Sequence, residues 1–202
     1  MKKLFSLVTL SLSKGASLIA HNYKDSFING LAGLWGLGGL FALLFEALYR
    51  LWPHAIKPFS TGLEPFQWAL YFTCIAGMCF AEGYLGFQKS FSPRAIARAD
   101  LLLRGAPLPR YLYVFAPLFC CSLLCASPRR LRVNWGLVFM IVGMSVSFRY
   151  LPDAYRSILD AGVVAGLSWG TAVTLWGTLA LFMGRSSVAS AELSDEAVAY
   201  AG

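Results

Sequence analysis

A segment rich in polar and basic residues follows one long apolar stretch and concentrates the groups best suited to binding. Its carboxylate is Glu82, and its donors are Gln88, Lys89, Arg94 and Arg98. Amide, ammonium and guanidinium groups donate the hydrogen bonds that bind a carboxylate or a phosphate. The segment therefore predicts a site for a lipid headgroup or another small anion. The alternative is a structural elbow in which Glu82 pairs with one of its basic neighbours.

A second pattern is a ladder of small residues near the C-terminal end, at intervals of four. The ladder residues are Gly162, Gly166, Gly170, Thr174 and Thr178. On a helix they share one face, and small residues there let two helix backbones approach closely while threonine hydroxyls bond across the contact. The ladder predicts a helix-packing interface, either inside one bundle or with a second copy or another membrane protein.

Signals for catalysis or metal binding are weak. Residues 166–170 match the G-x-S-x-G nucleophile pattern, but that pattern acts at a strand-to-helix turn, and these residues belong to a helical stretch. The two histidines, His21 and His54, both lie far upstream of Ser168. The cysteines form no C-x-x-C pair and read as apolar residues: they are Cys74, Cys79, Cys120, Cys121 and Cys125. We predict no metal site and no cofactor.

The elements that position these groups are predicted from hydropathy. The chain has 202 residues, of which 57% are apolar and 13% charged, whereas soluble domains are about half apolar and about a quarter charged. Apolar stretches of about 18 residues or more are long enough to cross a bilayer. We predict an all-α integral membrane protein with about five transmembrane helices, at residues 27–49, 66–86, 108–126, 133–148 and 158–183.

One further helix is predicted at residues 93–104, between the second and third spans. Ser92-Pro93 is a helix start, and Gly105 is a stop. Arginines occupy one arc of the helical wheel and aliphatic residues the other, which is typical of an amphipathic helix that lies in the headgroup layer. Its basic residues would attract anionic lipid headgroups.

The distribution of Lys and Arg predicts the orientation of the chain. With five spans, eleven of these residues lie on the N-terminal side and six on the other, which places the N-terminus in the cytoplasm and the C-terminus outside. The turn at residues 129–132 holds three arginines and opposes this assignment. We expect residues 1–26 to be cytoplasmic or interfacial, residues 27–183 to form the bundle, and the acidic tail 184–202 to be disordered. A bacterial inner membrane fits the basic N-terminus.

Composition leaves three classes of function open. Net charge is +7, but the basic residues lie in short connections between spans, which favours headgroup contact over nucleic acid. The best-supported hypothesis is an accessory or assembly protein that acts through its glycine-rich helix faces and its basic interfacial helix. The alternatives are a small transporter or channel and a membrane-embedded lipid-modifying enzyme with a boundary site around Glu82.

Overall fold

The computed structural model describes residues 2–106, 109, 111–185 and 191–193, with side chains described from residue 27 onward. The described residues are helical apart from short connections and one isolated β-bridge. The α-helices are α1 (Lys2–Ile56), α2 (Pro58–Thr61), α3 (Pro65–Met78), α4 (Ser92–Leu103), α5 (Tyr111–Val114), α6 (Ala116–Cys120), α7 (Pro128–Ser147) and α8 (Asp153–Phe182). A π-helical segment, Cys79–Phe91, joins α3 to α4, and a 3₁₀ turn, Phe148–Tyr150, follows α7.

Among the described residues, four helical stretches are long and apolar enough to cross a bilayer. They are Phe27–Thr61, Pro65–Leu103, Pro128–Tyr150 and Asp153–Phe182. Four of the five predicted spans fall within these stretches, while the predicted third span, residues 108–126, does not form a long helix. The all-α class is confirmed, and among the described residues four stretches, instead of the predicted five, meet these criteria.

Proline placement explains why residues 108–126 do not form one helix. Pro117 lies at the start of α6 instead of kinking a longer helix, as expected of a residue that lacks a backbone N–H. Phe115, just before α6, is not helical (φ −92°, ψ 26°). After α6 the chain turns back through Ser122 and Cys125, both in the left-handed region with φ of 58° and 51°. The segment thus consists of the short helices α5 and α6, followed by an irregular loop that turns the chain back.

The predicted amphipathic helix is present as α4, but it is not a separate element on a surface. It continues the rod that begins at Pro65, through the π-helical segment. Residues 95–99 are all buried, so the middle of the helix is not available to a headgroup layer. The prediction of an exposed basic arc was wrong because its central arginine, Arg98, binds buried backbone groups of the same chain.

Helix α8 lies at the centre of the fold and α7 lies apart. Along α8, buried residues recur from Ser157 to Leu181, where it packs against α1 and the Pro65–Leu103 rod. No residue of α7 is buried. Two side-chain hydrogen bonds near its start join α7 to the preceding loop, from Asn134 to the Ser122 carbonyl (2.8 Å) and from Trp135 to that of Leu123 (3.3 Å).

Candidate functional site

The small-residue ladder of α8 packs against the Pro65–Leu103 rod of the same chain. A Cβ atom at Gly166 would lie 2.9 Å from the carbonyl oxygen of Met78, and one at Gly170 would overlap the ring of Phe87. The hydroxyls of Thr174 and Ser92 lie 2.7 Å apart, and both residues are buried. The ladder, which also includes the buried Gly162 and Thr178, is therefore a helix-packing interface inside one chain. Its face is not open to a partner.

The predicted polar cluster around Glu82 is dispersed. Glu82 is half-buried against Gly166, and no ion pair joins it to a basic residue in the described part of the chain. Gln88 accepts a hydrogen bond from the Trp169 indole at 3.0 Å. The Lys89 ammonium lies over the ring of Tyr84, 4.6 Å from its centroid. These three side chains each have a different environment, so they do not converge on one ligand.

Arg98 is fully buried, and backbone carbonyls saturate its guanidinium. Its N–H groups donate five hydrogen bonds of 2.8–3.3 Å, to the carbonyl oxygens of Phe119, Leu124, Cys125, Ala191 and Glu192. An arginine side chain has five N–H donors, so Arg98 has none left for a headgroup. Its physical role is to pair the carbonyls of the irregular return after α6, because unpaired buried carbonyls are costly.

Two arginines from different helices, Arg94 of α4 and Arg130 of α7, bind the same carboxylate. Arg130 grips the carboxylate of Glu192 with two donors, Nε to Oε2 at 2.6 Å and Nη2 to Oε1 at 3.2 Å. Arg94 adds a contact of 3.3 Å from Nη1 to Oε2. Burial opposes ionisation of Glu192, but the hydrogen bonds from Arg130 and Arg94 outweigh it, and the pKa of Glu192 is lowered. We call Arg94, Arg130 and Glu192 the arginine–glutamate site.

Sequence reasoning missed Glu192 and Arg130. The tail 184–202 was predicted to be disordered, yet its described residues Ala191–Leu193 dock on the bundle. Ala126 and Leu193 form an antiparallel β-bridge, and Leu193 packs on an apolar cluster of α4, α5 and α6. The prediction for residues 186–190 and 194–202 lies outside the described residues. The three arginines at 129–132 were the available signal, because they need anionic partners.

A second group of ionisable residues lies where α1 ends and α8 begins. Asp160 is buried, with its Oδ2 3.6 Å from the Arg156 Nε, too far for a hydrogen bond. That oxygen and the Nδ1 of His54 are buried without a hydrogen-bond partner. Lys57 and Asp153 pair at 2.6 Å on the exposed rim. Asp160 lies seven residues into α8, which begins at Asp153.

Comparison with protein-family models, with curated proteins and with solved structures found no match. Within the described ranges no group of three or more His, Cys, Asp or Glu side chains is placed to hold a metal ion. Ser168 of the G-x-S-x-G match is exposed in the middle of α8, inside a continuous helix. The geometry thus gives no specific support to the enzyme hypothesis.

Proposed function

We propose that the chain is an integral membrane protein with four transmembrane helices and both termini in the cytoplasm. Four stretches of 23 to 39 residues have the length and apolarity for this. Exposed aromatic and aliphatic side chains cover their outer surfaces, for example Phe45, Phe139 and Trp176. Exposing such an apolar surface to water costs free energy, whereas lipid hydrocarbon solvates it without that cost.

The charge distribution supports this orientation more strongly with four spans than with five. Four basic residues then lie on the outer side: Arg50, Lys57, Arg149 and Arg156. Thirteen lie on the cytoplasmic side: Lys2, Lys3, Lys14, Lys24, Lys89, Arg94, Arg98, Arg104, Arg110, Arg129, Arg130, Arg132 and Arg185. The arginines at 129–132, which oppose the five-span orientation, now agree with the positive-inside bias. The proposed membrane is the bacterial inner membrane.

Within this membrane the protein acts as an accessory or assembly factor that binds another membrane protein along α7. The observation that carries this proposal is that α7 has no buried residue. Gly136 and Gly143 lie seven residues apart on one face, and a Cβ atom at either would meet nothing within 4 Å. Small residues at a helix face permit a second helix to approach closely.

Charge favours a different protein over a second copy as the partner. Two copies in one membrane share one orientation, so a symmetric contact along α7 would bring the exposed Arg129 and Arg132 of both copies together. Like charges in close contact are repulsive. We therefore propose a partner helix with carboxylates at its cytoplasmic end.

Photo-crosslinking in native membranes tests this proposal. A photoreactive residue replaces Phe139 of α7 or, as the control, Trp176 on the outer surface of α8; the two side chains are 69% and 66% exposed. We expect a discrete protein adduct at position 139 and only lipid adducts at position 176. Mass spectrometry should show acidic residues beside a transmembrane helix of the captured protein.

Matched glycine variants locate the contact. Gly143→Leu should reduce the adduct at least about tenfold, as loss of about 1.4 kcal/mol of contact free energy would. Gly38→Leu on α1 should leave it unchanged, because a Cβ at Gly38 also meets nothing within 4 Å. Arg129→Glu together with Arg132→Glu should weaken it. Lipid adducts alone at position 139, or an adduct of two copies of this chain, would overturn the proposal.

A further inference from the structure

Two arginines from separate helices converge on one carboxylate at the arginine–glutamate site. Arg130 holds both carboxylate oxygens through Nε and Nη2, and Arg94 holds one of them. A guanidinium fork fits a phosphate group in the same way as a carboxylate, with two parallel N–H donors facing two oxygens. The two arginines therefore form an oxyanion-binding site, and the anion bound there in this structure is the Glu192 carboxylate of the same chain.

Arg94, one of the two cations of the site, is fixed without the help of Glu192. The Arg94 side chain is 11% exposed, and its Nε and Nη2 donate to the carbonyl and hydroxyl oxygens of Ser90 at 2.7 and 3.0 Å. This leaves Nη1 to face the anion. Arg130 is the third residue of α7, so its backbone is held by that helix. A preorganised donor such as Arg94 loses little side-chain entropy when it binds a ligand.

Glu192, the residue that occupies the site, is more exposed than Arg94, which helps to form it. The Glu192 side chain is 33% exposed and the Arg130 side chain 40%, so solvent reaches the ion pair. The segment Ala191–Leu193 is bound by two carbonyl contacts to Arg98, by the bridge to Ala126, by a hydrogen bond from the Ser127 amide and by the packing of Leu193. A competing anion of higher charge would have to displace these contacts together with the ion pair.

Charge counting favours a doubly charged ligand. The guanidinium groups of Arg94, Arg98 and Arg130 meet at this end of the bundle, and Glu192 supplies one negative charge. A phosphate monoester carries up to two negative charges near neutral pH. We propose that Arg94 and Arg130 form a phosphate-monoester site that Glu192 occupies as an internal competitor, and that displacement of Glu192 opens the site.

Binding to the full chain in nanodiscs tests this site and separates two sources of phosphate. One arm uses bilayers of neutral lipid with phosphatidic acid, a lipid phosphate monoester, and a second uses phosphatidylglycerol, a phosphate diester. A third uses neutral bilayers with inorganic phosphate in solution. The lipid arms rest on the proposed membrane placement, whereas the inorganic phosphate arm also works in detergent and does not depend on the partner proposed for α7.

We expect Glu192→Gln to raise the affinity for phosphatidic acid or for inorganic phosphate about tenfold, since one charge-assisted competitor is removed. Adding Arg130→Gln should cancel the gain. The control is Glu46→Gln, which frees Arg50 from a comparable but exposed ion pair at the other end of the fold and should change affinity less than twofold. Affinity unchanged in Glu192→Gln, or raised equally by Glu46→Gln, would overturn the proposal.

A measurement on the unmodified chain covers the case in which the variants fold poorly. Hydrogen exchange of the Ser127 amide, which donates to the carbonyl oxygen of Glu192 at 3.3 Å, should become faster when phosphatidic acid or inorganic phosphate is added in large excess. The diester lipid at equal surface charge should have little effect. Exchange that stays slow with every phosphate source would show that Glu192 is a permanent structural contact and would refute the internal-competitor role.

Discussion

Helices α7 and α8 follow one another in the chain, and the most apolar 18-residue window of each has the same mean hydropathy of 1.5, yet they are packed in opposite ways. In the most apolar window of Asp153–Phe182 half of the residues are buried, and in that of Pro128–Tyr150 none is. The difference lies in the spacing of small residues. In α8 they recur every four residues on one face, so a neighbouring backbone fits along the helix; Gly136 and Gly143 of α7 are too far apart to build such a seam alone.

The comparison shows that hydropathy and packing are separate properties of a helix sequence. Hydropathy predicts whether a stretch is compatible with a bilayer, because every apolar side chain counts equally. Packing depends on which face each residue occupies and how closely another backbone can approach. We therefore expect substitutions in the two helices to have very different effects.

The largest effect is expected at Arg98, which fixes the loop that attaches α7 to the bundle. Arg98→Met removes the donors of five carbonyl contacts, and each buried carbonyl left unpaired costs about 1–3 kcal/mol. The free energy of unfolding, measured by titration with SDS in mixed micelles, should fall by at least about 3 kcal/mol. Arg50→Met is the control, with an exposed ion pair, and should change it by less than about 1 kcal/mol. Equal effects would contradict the assigned role of Arg98.

An intermediate effect is expected for one substitution placed in each helix. A Cβ atom at Gly166 meets the Met78 carbonyl at 2.9 Å, and one at Gly143 meets nothing. Gly166→Val should lower the free energy of unfolding by about 1–3 kcal/mol through overpacking, while Gly143→Val should leave it within about 0.5 kcal/mol. The same SDS titration checks both. A destabilising Gly143→Val would mean that α7 packs against its own chain.

The smallest effect concerns pH and the end of the fold where α7 begins. Because its pKa is lowered in the folded chain, Glu192 contributes stability at pH values above about 4.3, the ordinary glutamate pKa. That contribution is lost as the pH falls through the lower, folded-state value. The difference in unfolding free energy between the unmodified chain and Glu192→Gln should therefore shrink towards zero in acid. A difference that is constant with pH would exclude the ion pair as its source.

Much of the helical framework could be predicted from the sequence. Pro65 begins a helix as its position suggests, with the Gln67 side chain accepting from the Glu64 backbone N–H at 3.1 Å. Glu46 and Arg50 form an i, i+4 pair at 2.6 Å, in the order that helix geometry favours. These features depend only on residues within a few positions of each other, which is why local patterns sufficed.

The candidate site was not predictable in the same way. Arg98 appeared to be a surface cation because its wheel position places it with Arg94 and Arg104, and nothing local indicates that distant carbonyls will enclose it. Glu192 lies 62 residues from Arg130 and 98 from Arg94, in a stretch of small and acidic residues. Contacts over such separations are set by the packing of whole helices. A prediction from local sequence patterns therefore places Glu192 and its arginine partners in solvent.

The docked segment Ala191–Leu193 has a consequence for biosynthesis. Residue 192 emerges from the ribosome after all four long helices, so Arg98 lacks two of its five carbonyl partners until residues 191 and 192 have been synthesised. Under the proposed topology an even number of crossings is also required, since an odd number would leave Glu192 a bilayer away from Arg94. Docking of this segment would therefore require that α8 has been inserted in the direction that the proposed topology gives it.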